Sequence, residues 1–211
     1  ALLNDNNVLS LFVDNTFLWI GTSNGGLNRL DLTTMDVTVF NSNLAPLREI
    51  RSLVKDHNDV LWLGTARGLY YLDNSTQTIQ RFSVERNNDA LDTLAVWAIA
   101  EDVHGTLWVT GRGGSVRIDA SRKVIKHLNM PVKSNQWGTS VLNTPTGIWL
   151  GTYGAGVSRY NFGGELEQQY VYDPIEKNSL SNNYILSLYQ DSKKNIWIGT
   201  DGGGVNRFLP T

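Results

Sequence analysis

Five copies of one tryptophan-centred pentapeptide run along the chain: Leu18-Trp19-Ile20-Gly21-Thr22, Leu61-Trp62-Leu63-Gly64-Thr65, Leu107-Trp108-Val109-Thr110-Gly111, Ile148-Trp149-Leu150-Gly151-Thr152 and Ile196-Trp197-Ile198-Gly199-Thr200. The tryptophans stand 43, 46, 41 and 48 residues apart. A period of this size is that of one propeller blade; solenoid coils and leucine-rich repeats are shorter.

Each period divides into four short β-like runs. In the first they are Val8 to Asp14, the tryptophan run, Leu27 to Asp31 and Val37 to Phe40. β-branched and aromatic residues fill the runs while Asn, Asp and Gly separate them, the pattern of an antiparallel meander, here labelled strands a to d. No segment sustains a 3.6-residue apolar period, so helices are expected to be nearly absent. The expected fold is all-β, a propeller of five recognisable four-stranded blades at about 8–41, 50–83, 96–129, 138–172 and 185–209. The last blade lacks its outer strand d, so a larger ring with exposed edge blades is expected. Only residues 1–7 could supply that strand from within the chain.

Composition narrows the function. Twenty glycines with only five prolines fit repeated tight turns rather than disorder. The chain has no cysteine, which removes disulfides, thiolate metal sites and a cysteine nucleophile. A net charge of -2 with no basic run argues against nucleic acid as a partner. No apolar run approaches the ~20 residues of a membrane span.

Against known repeats, the Gly-His and Trp-Asp signatures of WD40 blades and the paired glycines of kelch blades are missing. Asp102-Val103-His104-Gly105-Thr106-Leu107-Trp108-Val109 and the run from Ile196 to Phe208 instead resemble the two-component regulator propeller repeat. Asn178-Ser179-Leu180-Ser181-Asn182-Asn183 is similar to the linker that precedes a blade in that family. The resemblance implies a sensor propeller of seven blades, in the periplasmic or extracellular portion of a membrane-anchored bacterial receptor with a kinase or cyclase output domain. It further implies an oligosaccharide or other polar ligand, and as partners the remainder of the parent propeller and receptor. A homodimer through the edge blades is a further expectation.

A residue present in every blade serves what every blade needs, whereas a single site needs asymmetry. The strand b tryptophans are therefore expected between sheets, and Arg29, Arg117, Arg159 and Arg207, with Tyr71 in blade 2, in inter-blade hydrogen bonds. Asp14, Asp56, Asp102 and Asp191 end strand a and are suited to fixing the a-to-b hairpin. The exceptions to the repeat gather in the b-to-c and d-to-a loops: Arg48, Arg51, Arg67, Trp97, Arg112, Gln136, Trp137, Tyr153 and Tyr184. Aromatics with guanidinium groups suit a polar ligand with apolar ring faces, or an acidic group held by two hydrogen bonds.

Catalytic sets are thin. His57 and His104 fall in a-to-b turns and His127 in an outer strand, so neither a Ser-His-Asp set nor a metal site is expected. The expectation is a non-enzymatic sensing module without a cofactor. A hydrolase or lyase reading needs facing carboxylates from among Glu49, Asp89, Asp92 and Asp201. A protein-interaction scaffold is the third reading.

Overall fold

The computed structural model describes residues 3–40, 47–83, 91, 94–123, 125–131, 133 and 136–209. Every regular element named among them is a strand, as the repeat predicts. The first sheet orders β1 (Val8–Asp14), β2 (Phe17–Thr22), β3 (Leu27–Asp31) and β4 (Val37–Phe40) side by side. The second repeats this with β5 (Ser52–Lys55), β6 (Leu61–Thr65), β7 (Gly68–Asp73) and β8 (Thr78–Arg81). The third holds β9 (Ala95–Glu101), β10 (Leu107–Arg112), β11 (Gly114–Ile118) and β12 (Ile125–His127). The fourth holds β13 (Trp137–Thr144), β14 (Gly147–Tyr153), β15 (Val157–Tyr160) and β16 (Leu166–Tyr170). The fifth stops at three strands, β17 (Ile185–Gln190), β18 (Ile196–Thr200) and β19 (Gly204–Phe208). Sheets of consecutive antiparallel strands in this number are propeller blades.

The chain forms two compact units, Ala1–Ile99 and Ala100–Thr211. In the first, Trp19, Leu27, Phe40, Leu47, Ile50, Leu61, Leu63 and Tyr70 share one buried cluster. In the second, Trp149, Val157, Ile185, Ile196 and Ile198 form one cluster, and Trp108, Ile148, Leu150 and Tyr160 form another. Trp19, Trp108 and Trp149 are thus joints between one sheet and the next. Trp19, Trp62, Trp108 and Trp149 are no more than 6% exposed, whereas Trp197 is 36% exposed.

Register explains the arginine column. Trp19, Trp108, Trp149 and Trp197 pair directly across the b–c ladder with Arg29, Arg117, Arg159 and Arg207, and Trp62 pairs with Tyr71. The expected inter-blade hydrogen bond exists at Arg117, whose Nη1 donates to the Phe162 carbonyl at 2.9 Å. Elsewhere the guanidinium serves its own blade. Arg29 lies 4.5 Å from the Phe17 ring and 5.4 Å from Trp19, and Arg207 lies 5.8 Å from Trp197. A planar cation over an indole face covers the ring while keeping its donors wet. In blade 2 an aromatic pair replaces it, with Trp62 and Tyr71 rings 5.6 Å apart.

The aspartates ending strand a have a sharper role than turn formation alone. Asp56 Oδ1 accepts the Asn58 and Val60 amides while Oδ2 accepts the Trp62 indole N–H at 2.8 Å. Asp102 does the same for His104, Thr106 and Trp108, and Asp191 for Lys193, Asn195 and Trp197. One carboxylate therefore closes the hairpin and fixes the indole. Asp14 departs from the expectation: its hairpin turns through Asn15 and Thr16 alone, and its carboxylate takes the Lys55 ammonium at 2.9 Å. Blade 4 has Asn143, whose amide donates to the Glu101 carbonyl instead.

Residues 3–7 form no strand. Asn4 N–H reaches Asn28 Oδ1 at 3.5 Å, Asp5 caps the Asn24 amide, and the Asn7 carbonyl accepts Ser23 N–H. This is the mode in which Ser181 N–H meets Asn206 Oδ1 and the Tyr184 carbonyl accepts Asp201 N–H in the last blade. Residues 4–7 are accordingly the linker of the first blade; residues 1 and 2 lie outside the described residues.

Candidate functional site

In the second unit the loop exceptions meet. Trp137 opens β13 and pairs across the sheet with Tyr153, the last residue of β14. Their rings stack with centroids 4.8 Å apart and planes 15° from parallel. Tyr153 forms an isolated antiparallel bridge with Tyr184, whose ring meets it edge-on at 4.6 Å. Arg112, the last residue of β10, carries its guanidinium 5.4 Å from the Trp137 ring. At the other end the Tyr153 hydroxyl donates to Asp201 at 3.5 Å. The result is a ribbon running from the Arg112 cation through Trp137 to Tyr153, which meets both the Tyr184 ring and the Asp201 carboxylate.

Backbone bonds hold the ribbon in place. Gly154 and Gly156 each donate to the Asn183 carbonyl at 3.0 Å, and Gln136 Nε2 donates to the Gly154 carbonyl at 2.7 Å. Gly154 has a φ of 110°, a left-handed conformation that L side chains rarely take, so the turn after Tyr153 requires glycine. Arg112 and Tyr184 are exposed, while Trp137 and Tyr153 are half-buried.

In the first unit the structure brings Arg51 and Trp97 together, with the guanidinium 4.7 Å from the ring. Arg51 also pairs with Glu49 at 2.6 Å, which places an acid beside this cation. Arg48 and Arg67 are exposed, Arg67 on the two-residue turn between β6 and β7, and among the described residues no side-chain partner is found for either. Of the candidate acids, Glu49 is thus the mate of Arg51 and Asp201 that of Tyr153, while Asp89 and Asp92 lie outside the described residues. Among the described residues no group of three His, Asp or Glu is arranged to hold a metal ion.

Sequence reading missed the linker asparagines. Asn182 donates to the Asp201 carbonyl at 2.7 Å and accepts the Tyr184 amide, and Asn183 Oδ1 accepts the Tyr172 amide. These bonds set the height of Tyr184. The clustering of Asn before β1 and before β17 is the signal that marks them.

Residues 179–202 match the family model described as the two component regulator propeller. The match falls on one of the five copies in which the resemblance is seen. A histidine kinase, P4 of Formosa agariphila, is 28% identical over 187 residues, which is 82% of this chain and 13% of that protein. The extracellular domain assigned to the hybrid two component system BT4673 of B. thetaiotaomicron superposes with a TM-score of 0.82 at 24% identity, over 95% of this chain and 27% of that one. Virginiamycin B lyase from Staphylococcus aureus reaches a TM-score of 0.70 at 15% identity, over 97% of this chain and 71% of that one. At these identities the two solved structures establish the β-propeller fold. The chain spans 13% of the kinase and 27% of the receptor domain it matches.

Proposed function

We propose that this chain is the ligand-sensing part of a bacterial signalling receptor, lying on the extracytoplasmic side, and that its ligand is an oligosaccharide or a polar molecule of like shape. The observation that carries the reading is the ribbon of Arg112, Trp137, Tyr153 and Tyr184. Stacked aromatic faces accept the C–H face of a sugar ring, while Arg112 and Asp201 at the two ends offer a donor fork and an acceptor for hydroxyls. A pattern of apolar walls with a few placed polar groups is that of a small-ligand site. The kinship of the repeat with two-component regulators supports the signalling half of the reading.

Sensing in this reading is binding without turnover. The ligand shifts the parent receptor between two arrangements by as much as its affinity differs between them. Calorimetric titration of the chain with a panel of glycans tests the proposal. A saturable heat with roughly micromolar affinity, about 8 kcal/mol at the standard state, is the expected result for at least one member. Silence across neutral, acidic and amino sugars, or conversion of any of them to product, would refute it.

A further inference from the structure

We propose that the sugar bound at the ribbon is an acidic one, whose carboxylate or sulfate oxyanion Arg112 takes in its guanidinium fork, an inference that rests on the function proposed above. Each unit builds an arginine–tryptophan pair from its loop exceptions, and the two pairs differ in charge. Arg51, 4.7 Å from the Trp97 ring, is already matched by Glu49, whose carboxylate takes its Nη2 at 2.6 Å. Arg112 lies 5.4 Å from the Trp137 ring, and among the described residues no carboxylate forms an ion pair with it. A cation met inside the chain has little to offer an anion. One left uncompensated at the surface presents its planar fork, and that fork matches two oxygens of an oxyanion.

The backbone gives the fork a defined place with room beside it. Arg112 ends β10 at a hairpin whose ladder closes with Gly111 opposite Gly114. A Cβ added to Gly114 would meet nothing within 4 Å, so the space next to the exposed Arg112 is open.

Charge is graded along the ribbon in the same sense. Lys133, exposed and four residues before Trp137, adds a second cation to the segment that leads into β13. Its amide donates to Gln136 Oε1, and Gln136 Nε2 ties that segment to the Gly154 carbonyl. At Tyr153 the sign reverses, because the hydroxyl meets the exposed Asp201 carboxylate at 3.5 Å. The oxyanion therefore belongs at Arg112 and the sugar hydroxyls toward Asp201. A ring bound the other way round would set like charge on like, which rejects that orientation.

The test titrates the 211-residue chain calorimetrically with matched pairs: oligosaccharides containing glucuronate or galacturonate against their carboxyl-reduced counterparts, and sulfated oligosaccharides against the desulfated ones. At least one acidic member is expected to bind about tenfold or more tightly than its neutral counterpart at low salt. Raising the salt from about 0.05 to about 0.5 M should erode that margin severalfold. The carboxyl-reduced and desulfated arms show which oxyanion is read. In Arg112→Gln the margin is expected to shrink to about twofold or less, while Arg112→Lys, which keeps the charge and loses the fork, recovers part of it. A neutral oligosaccharide that binds as tightly as its acidic counterpart, and loses affinity in Trp137→Ala, overturns the acidic preference and leaves the ribbon as the glycan site. Silence of every member overturns the glycan site and the preference together. A margin that survives Arg112→Gln unchanged overturns the role given to Arg112.

Discussion

Gly138 of β13 stands against the side chain of Thr110 in β10, so close that a Cβ on the glycine would overlap the threonine hydroxyl. This explains the one blade in which the repeat reads Thr-Gly in place of Gly-Thr. Elsewhere the strand b glycine gives room: a Cβ on Gly151 would strike Ile185, and one on Gly64 would strike Val96, each from the strand a that follows. In blade 3 the bulk has moved from one sheet to the other. Gly138→Ala is expected to lower stability by about 1–3 kcal/mol, as overpacking of a filled interior does. In a Thr110→Gly background the same change should cost markedly less, giving a coupling of at least ~0.5 kcal/mol in a urea-unfolding cycle. Additive effects would contradict the contact.

The Asp102 carboxylate satisfies two backbone amides and the Trp108 indole at once, in a residue only 5% exposed. Asp102→Ala leaves buried donors without acceptors, and a loss of about 1–3 kcal/mol or more is expected from chemical denaturation. Asp14→Ala is expected to cost less, because its partner is the partly exposed Lys55 ammonium and no indole depends on it. Equal losses in the two variants would refute the separate roles assigned to these aspartates.

Acidification should weaken the fold. Donors hold several aspartates below the usual carboxylate range: the Thr33 and Thr34 amides at Asp31, the Ser75 hydroxyl and amide at Asp73, and the Asn195 and Trp197 side chains at Asp191. A depressed value in the folded chain means stability that is present above the unfolded carboxylate value of ~3.9 and is lost as pH falls through the folded one. The melting temperature is therefore expected to fall as pH drops below about 4, with a shallower fall in Asp191→Asn. A flat or rising profile over that window would show that these bonds do not act as described.

Much of this fold is legible in the sequence because blades are local objects. The Trp-x-Gly-Thr strand, its Gly and Asn turns and its period define sheet, order and register without any long-range information. The Asp six residues before Trp62, Trp108 and Trp197 could have been read as an indole acceptor, since the spacing recurs and Asp14 breaks it by one residue. What the sequence leaves hidden is contact between repeats. The Thr110 and Gly138 exchange, and the edge-on meeting of Tyr153 with Tyr184, depend on how one repeat lies on the next, and no periodicity encodes that. The same limit kept from view which expected site residues meet within each unit, Arg112 with the three aromatics in one and Arg51 with Trp97 in the other.

The central claim is that the aromatic ribbon binds the ligand, and affinity in ribbon variants tests it most directly. With a glycan identified by titration, Trp137→Ala and Arg112→Ala are each expected to weaken binding by at least about tenfold, near 1.4 kcal/mol. Arg48→Ala, changing an exposed residue of the other unit, serves as the control and is expected to leave affinity within about twofold. Unchanged affinity in both ribbon variants, with their melting temperatures at the parent value, would contradict the account and place the ligand elsewhere.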